Sequence, residues 1–195
     1  MKGKISTVIL GAGGHARVLI DCLQYFPDVA VVGILDSALS LHGESIHGIP
    51  VLGNDDLIGE LVQHGATHFV VGLGSIGDTL PRKKLFDFAF SYGLVPLTVK
   101  HPTAVISNAA VYGDGCQFLP GCIVNTEADL GVNVIINSGG IVEHNCIIGN
   151  HAHIATGAKL AGGVQVGQGV HIGAGATVRQ NIFIGEFSIV GAGAV

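Results

Sequence analysis

The sequence has no tryptophan, one methionine and only 12% charged residues. Nine Lys plus Arg against fourteen Asp plus Glu give a net charge of −5, and aromatics are 6% of the chain. There is therefore neither a basic stripe for a phosphate backbone nor an aromatic ladder for bases, and nucleic acid is not expected as a partner. No run reaches the roughly 18 apolar residues of a membrane-spanning helix. "MKGKISTVILGAGGH" lacks the apolar region and cleavage site of a secretory leader, so a cytoplasmic protein is expected. Cys22, Cys116, Cys122 and Cys146 form no CxxC pair, which argues against a zinc ribbon or a disulfide framework and for buried thiols. The 195 residues, 48% of them hydrophobic, suffice for one fair-sized core or two small ones.

Glycine is in excess, with 31 residues concentrated after position 110. Stepping by six from Ile106 through Tyr112, Phe118 and Val124 to Val190 meets fifteen positions, all aliphatic or aromatic. Two residues before each is a mostly small residue, among them Ala104, Cys116, Cys122 and Cys146. Side chains two apart on a strand face the same way, so each pair points into one core. Strands this short cannot bury a face alone. Stacked coil upon coil they can, with glycine-rich or polar tripeptides at the corners. The hexads run unbroken from 104 to 193, so no inserted loop is expected, and the cysteines on small inward positions serve as core filler.

Residues 1–100 follow another rule. "STVILGAGGH" reads as a buried strand and glycine turn, "ARVLIDCLQYF" as a helix, "VAVVGILD" as a strand and "DDLIGELVQHG" as a helix stopped at Gly65. "THFVVGLGS" is a third strand, "PRKKLFDFAFSYG" a helix with Pro81 in its first turn and Gly93 at its end, and "LVPLTV" a last strand. This alternation predicts a small parallel α/β, Rossmann-like domain ending near "KHPTA". "GAGGHA" fits G-x-G-x-x-A with Asp36 ending the next strand. On these residues alone, NAD, a tight turn and the phosphates of another nucleotide at the helix N-terminus all remain open.

The hexads, "GAGGHA", "GILD", "VEHNCIIGNHAHIATGAKLAGGV" and the order of domains together resemble the hexapeptide-repeat sugar acetyltransferases of the NeuD/PglD type, across essentially the whole chain. The resemblance implies a left-handed parallel β-helix over 101–195 that binds acetyl-CoA and carries the catalysis. Three hexads make a coil, so equivalent residues of successive coils stack about 4.8 Å apart. It implies that the 1–100 domain holds a nucleotide-linked sugar through Gly13, Gly14 and His15, Asp36 at the base or ribose, and Gly74 and Ser75 of "GLGSIG". The expected activity is N-acetylation of a nucleotide-linked amino sugar, UDP-4-amino sugars favoured over GDP- or dTDP-linked ones. O-acetylation of a sialic acid and a non-catalytic sugar-nucleotide-binding protein are the rival readings. A homotrimer with coenzyme A between neighbouring helices is also implied.

On the same resemblance His144 is the general base, since imidazole titrates near neutrality. Gly162, three hexads after His144, is placed one coil above it to offer a backbone N–H to the oxyanion. His153 helps hold the acetyl group or amine, and Asn137 adds a polar contact. His153 and His171 are expected to stack, but no third ligand accompanies them and no metal is expected. Where the family commonly has an acid directly after the base, this sequence has Asn145. An amide orients the ring without stabilising an imidazolium by charge, so either Glu143 substitutes or a carboxylate comes from elsewhere. Family members usually finish with a further partial coil and a basic, proline-containing tail that helps hold coenzyme A. "IVGAGAV" stops inside the repeat, which leaves Lys159 and Arg179 as the candidate cations for its phosphates.

Overall fold

The computed structural model describes residues 4–195. Residues 1–3, where the stretch read for a leader begins, lie outside the described residues. The chain forms two units, Met1–Gly74 with Lys84–Leu97, and Ser75–Lys83 with Thr98–Val195. The division thus falls at Leu97/Thr98, with one short excursion, rather than at residue 100.

In the first unit β1 (Ile5–Leu10) is central, with β2 (Val29–Leu35) on one side and β5 (His68–Val71) on the other, both parallel to it. Beyond β2 lie β4 (Ile49–Gly53) and then the antiparallel β3 (Ser45–Ile46), and beyond β5 lies β6 (Val95–Pro96). The helices are α1 (Gly14–Leu23), α2 (Ile58–Gln63) and α3 (Leu80–Ser91), the last continuing out of the excursion. Val8, Ile9, Leu10, Ile34 and Leu35 are fully buried, as a continuous apolar run in a parallel sheet requires. The chain leaves β1 to one side for β2 and returns to the other for β5, so the carboxyl end of β1 is where such folds open a crevice.

Two local readings change, and a hairpin not assigned from the sequence is added. The helix expected over "DDLIGELVQHG" opens as a 3-10 turn, Asp55–Leu57, with the Asn54 side chain accepting from the Asp56 N–H, and becomes α-helical only at Ile58. The β3–β4 hairpin turns on His47 and Gly48, both at positive φ (48° and 82°), the backbone that a two-residue hairpin needs. "LVPLTV" splits, with Val95–Pro96 joining β5 and Val99–Lys100 starting the second unit's repeat.

The second unit is a parallel β-helix of two-residue strands in three stacked sheets. Face I stacks Val99–Lys100, Gln117–Phe118, Ile135–Ile136, His153–Ile154, His171–Ile172 and Ile189–Val190. Face II runs from Val105–Ile106 to Thr177–Val178, and face III from Val111–Tyr112 to Phe183–Ile184. Each strand pairs with the one three hexads on, as in His153 with His171. The fifteen hexad residues are the second of each strand and point inward, packed with the small residues two before them, including the buried thiols of Cys116, Cys122 and Cys146.

The corner from face III to face I is glycine at Gly113, Gly131, Gly149 and Gly167. A Cβ there would lie 2.5 to 2.9 Å from a backbone nitrogen of the next coil. At Gly139, on another corner, φ is +65° but nothing lies within 4 Å of such a Cβ. Gly149→Ala is therefore expected to cost about 2–3 kcal/mol through overpacking, and Gly139→Ala only about 1 kcal/mol through its backbone conformation. Denaturant midpoints measure both, and equal losses would refute the steric account.

Candidate active site

The first group of candidate residues surrounds the carboxyl end of β1. Gly11 has φ +101°, and a Cβ on Gly72 would press within 2.7 Å of the Gly11 carbonyl and 2.9 Å of the Ala16 Cβ. The glycine turns after β1 and β5 can therefore meet only as glycine. The Asp36 carboxylate accepts from the Ala12 N–H (2.7 Å) and the Ala38 N–H (2.8 Å), tying the turn to the chain after β2. Asp36 thus builds the turn, and its remaining lone pairs are those available to a base or ribose. It shares a cleft of about 110 Å³ with Gly11, Ser37 and Asp55, where burial, then Asp36 and Asp56, push the Asp55 carboxyl above its ordinary range. Gly13 and Gly14 are exposed, and α1 has no capping side chain and no acid in its first turn. A Cβ on Gly74 would stand 3.6 Å from that of His15.

The second group lies on the corner between faces II and III. His144 is exposed, and its imidazole lies so closely over Gly162 that a Cβ there would be 2.5 Å from Cε1 and 2.6 Å from Nε2. Only glycine leaves room for the ring. His144 Nδ1 meets Asn145 Oδ1 at 2.8 Å, and Asn145 Nδ2 donates to Glu127 Oε2 at 2.6 Å. His144, Asn145, Gly162, Gly163, Gln180 and Asn181 line a cleft of about 510 Å³.

The third group is on face I. Asn137 Oδ1 accepts from the Ser138 N–H (2.8 Å), so Asn137 Nδ2 faces His153 Nε2 at 3.1 Å. His153 Nε2 is then the acceptor, and Nδ1 carries the proton it donates to the Ser75 carbonyl at 3.0 Å. Both ring nitrogens are engaged, which suits His153 to holding a group rather than moving a proton. His153 and His171 meet edge to face with centroids 5.0 Å apart, as their register requires. Ser75, Asn137, His153 and His171 help line a cleft of about 470 Å³.

The segment Ser75–Lys83 is pinned to the β-helix by Arg82, whose side chain is fully buried. Its guanidinium donates to the Asn133 and His151 carbonyls, to Asn133 Oδ1 (2.8 Å) and to the Ala152 carbonyl (3.2 Å). Thr79 Oγ1 donates to the Gly169 carbonyl at 2.7 Å. Burial pulls the Arg82 value down to about 9, yet the four hydrogen bonds keep it charged at neutrality. Burial and then the Arg82 charge push His171 below its ordinary value, and His171 Nδ1 finds no partner among the described residues.

Comparison with known proteins bears on both units. The model of the PglD N-terminal domain matches residues 6–88, and that of the bacterial transferase hexapeptide (six repeats) matches residues 145–180. A histidine-to-alanine mutant of GDP-perosamine N-acetyltransferase from Caulobacter crescentus, solved in complex with CoA and GDP-perosamine, is 34% identical. That match covers 99% of this chain and 88% of the other at a TM-score of 0.89. The chain belongs to the NeuD/PglD-type hexapeptide-repeat family. The acetyltransferase domain of PglB from Neisseria gonorrhoeae, in complex with acetyl coenzyme A, is 29% identical over 99% of this chain and 91% of its own, with a TM-score of 0.89. GDP-perosamine N-acetyltransferase from Escherichia coli is 28% identical over 146 residues, which are 72% of this chain but only 62% of the relative's length.

The structure therefore brings His144, Asn145 and Gly162 together, and Asn137, Ser75 and His153 together, on different corners of one β-helix. Glu143 is not the partner of the imidazole. Its carboxylate accepts from Asn125 Nδ2 at 2.9 Å, because neighbouring side chains point apart, and the carboxylate behind Asn145 is Glu127. Lys159 is exposed on face II and lines neither of these two clefts of the β-helix. No helix among the described residues is long and apolar enough to cross a membrane.

The depressed value of His171 sets the sign of a pH effect. Below its unfolded value of 6.5 the unfolded chain binds the proton more readily, so the stability due to neutral His171 is complete above that pH and lost as pH falls below it. The melting temperature is expected to drop on acidification from about pH 7 to 5, and less steeply in His171→Asn. Parallel curves for the two proteins would remove His171 from the account.

Proposed function

We propose that the chain is an acetyl-CoA-dependent N-acetyltransferase acting on a nucleotide-linked amino sugar, with His144 as general base. The observation that carries this reading is the imidazole laid over Gly162, with its Cε1 and Nε2 atoms nearest that glycine, at the wall of the cleft. Asn145 Nδ2 must donate to the Glu127 carboxylate, so Asn145 Oδ1 is what faces His144. His144 Nδ1 is then the protonated nitrogen and Nε2 keeps its lone pair. The sugar amine attacks the thioester carbonyl carbon and Nε2 takes the amine proton. As the C–S bond breaks, the thiolate leaves and is protonated, yielding the amide and coenzyme A thiol. The Gly162 N–H, unpartnered among the described residues, is suited to the developing oxyanion.

The front turn fits the nucleotide half of such a substrate, with exposed Gly13 and Gly14 opening an uncapped helix N-terminus toward phosphate. The two GDP-perosamine relatives favour a GDP-linked amino sugar over the UDP-linked one expected from the sequence. A homotrimer is supported by face III, where Val111, Ile147 and Phe183 stand 58%, 51% and 70% exposed in one column, with Asp129 and Gln165 between them. Apolar side chains exposed in such a row suit contact with a second copy.

Thiol release from acetyl-CoA should be measured with GDP-, UDP- and dTDP-linked amino sugars and with free sialic acid. Turnover is expected, highest with a GDP-linked acceptor. It should fall about 10²- to 10⁴-fold in His144→Ala and about 10²-fold in Gly162→Ala, where the methyl group displaces the ring. Release undiminished in His144→Ala would eliminate it as the base, and release with sialic acid alone would make the protein an O-acetyltransferase.

A further inference from the structure

The corner that carries His144 contains a carboxylate to which the proposed reaction assigns no part. Glu127 precedes Asn145 by one full coil, so the two stack, and their backbones share the left-handed conformation (φ 58° and 59°). The Asn145 N–H donates to the Thr126 carbonyl at 3.1 Å, which fixes the height of one coil against the other. The amide then spans the gap, with Nδ2 on Glu127 Oε2 at 2.6 Å and Oδ1 on His144 Nδ1 at 2.8 Å. An amide placed between an imidazole and solvent is free to flip. Placed against a carboxylate it is not, because only its NH₂ end can donate there.

We infer that Glu127 is a positioning residue for His144, acting through the Asn145 amide to hold the imidazole with Nδ1 protonated and Nε2 open to the substrate. This rests on the acetyltransferase reading for its consequence in turnover, but not for its effect on the ring. Glu127 supplies the negative charge that an acid directly after the base would supply, moved one residue out and one coil down. The other charged groups on this corner are Glu143, bonded to Asn125, and Arg179, two coils above Glu143 in sequence register. The cleft itself is otherwise lined by Gly162, Gly163, Gln180 and Asn181. Glu127 is thus the carboxylate that reaches the imidazole through a hydrogen-bonded path.

The test is nitrogen-15 NMR of the histidine rings in the whole protein, with His144 assigned by its loss in His144→Ala, across a pH series and without substrate. In the wild type the neutral ring is expected as the Nδ1–H tautomer. In Glu127→Gln, whose amide can face Asn145 either way round, a mixture of tautomers and a lower titration midpoint are expected. kcat should fall about tenfold, with the KM of both substrates unchanged and the acid limb of the pH profile displaced toward lower pH. The double variant Glu127→Gln, Asn145→Asp returns a carboxylate to Nδ1 and should restore both the tautomer and most of kcat. It also supplies the answer if the single variant does not fold. An unchanged tautomer and midpoint in Glu127→Gln, or no restoration in the double variant, would overturn the inference whether or not the protein turns over acetyl-CoA. If the relay responds as expected while no acceptor is acetylated, the functional reading fails instead.

Discussion

Everything in the second unit depends on one hydrogen-bonding constraint: each coil's backbone N–H groups donate to carbonyls of the next coil, at regular spacing. The N–H of Ile135 reaches the Ala152 carbonyl at 3.0 Å, and that of His153 reaches the Val170 carbonyl at 2.9 Å. A two-residue strand has no independent stability, so its position is set by the strands above and below. A single-residue slip would turn the inward hexad residue outward, which explains why all fifteen hexad positions hold large apolar side chains. The register that protects the core also fixes which side chains meet outside it.

The three corners answer that register differently. Between faces III and I, successive backbones approach so closely that no Cβ fits at Gly113, Gly131, Gly149 or Gly167. Between faces II and III the same place in the coil is taken by Asn125, Glu143, Ala161 and Arg179, and the residues that follow carry the cleft. There His144 needs a glycine only where its ring lies over the next coil, at Gly162. One corner is closed by backbone packing and another is left open for side chains, although the repeat that builds them is the same.

Much of this was legible in the sequence because a solenoid is nearly one-dimensional. The period of six predicts the strands, the inward residues and the three buried cysteines. A coil of three hexads predicts that Gly162 lies over His144 and that His153 stacks with His171. The same step taken downward from Asn145 arrives at Glu127, so a carboxylate for this corner, absent directly after His144, was present in the sequence as an arithmetic signal. Glu143 is the nearer carboxylate along the chain, but strand alternation turns it toward Asn125. The β3–β4 hairpin was harder to read, since His47–Gly48 is less familiar as a positive-φ pair than Asn–Gly.

Arg82 was illegible for a different reason: its partners are set by no local period. A guanidinium buried without a carboxylate is costly unless its donors are satisfied; the two terminal nitrogens of Arg82 make four hydrogen bonds to atoms of Asn133, His151 and Ala152, while Nε finds no partner among the described residues. Asn133 and His151 stand one coil apart with φ of 54° and 60°, a backbone that leaves their carbonyls for a donor from outside the ladder. Through this anchor the segment that begins at Ser75 is seated on face I, where the Ser75 carbonyl takes the His153 proton. The tautomer of a histidine inside the repeat is thus decided by a segment outside it. His144, by contrast, is oriented from within the repeat, by a residue one coil away. Two imidazoles of one β-helix therefore owe their orientation to different levels of structure, one to a segment seated on the repeat and the other to the repeat itself.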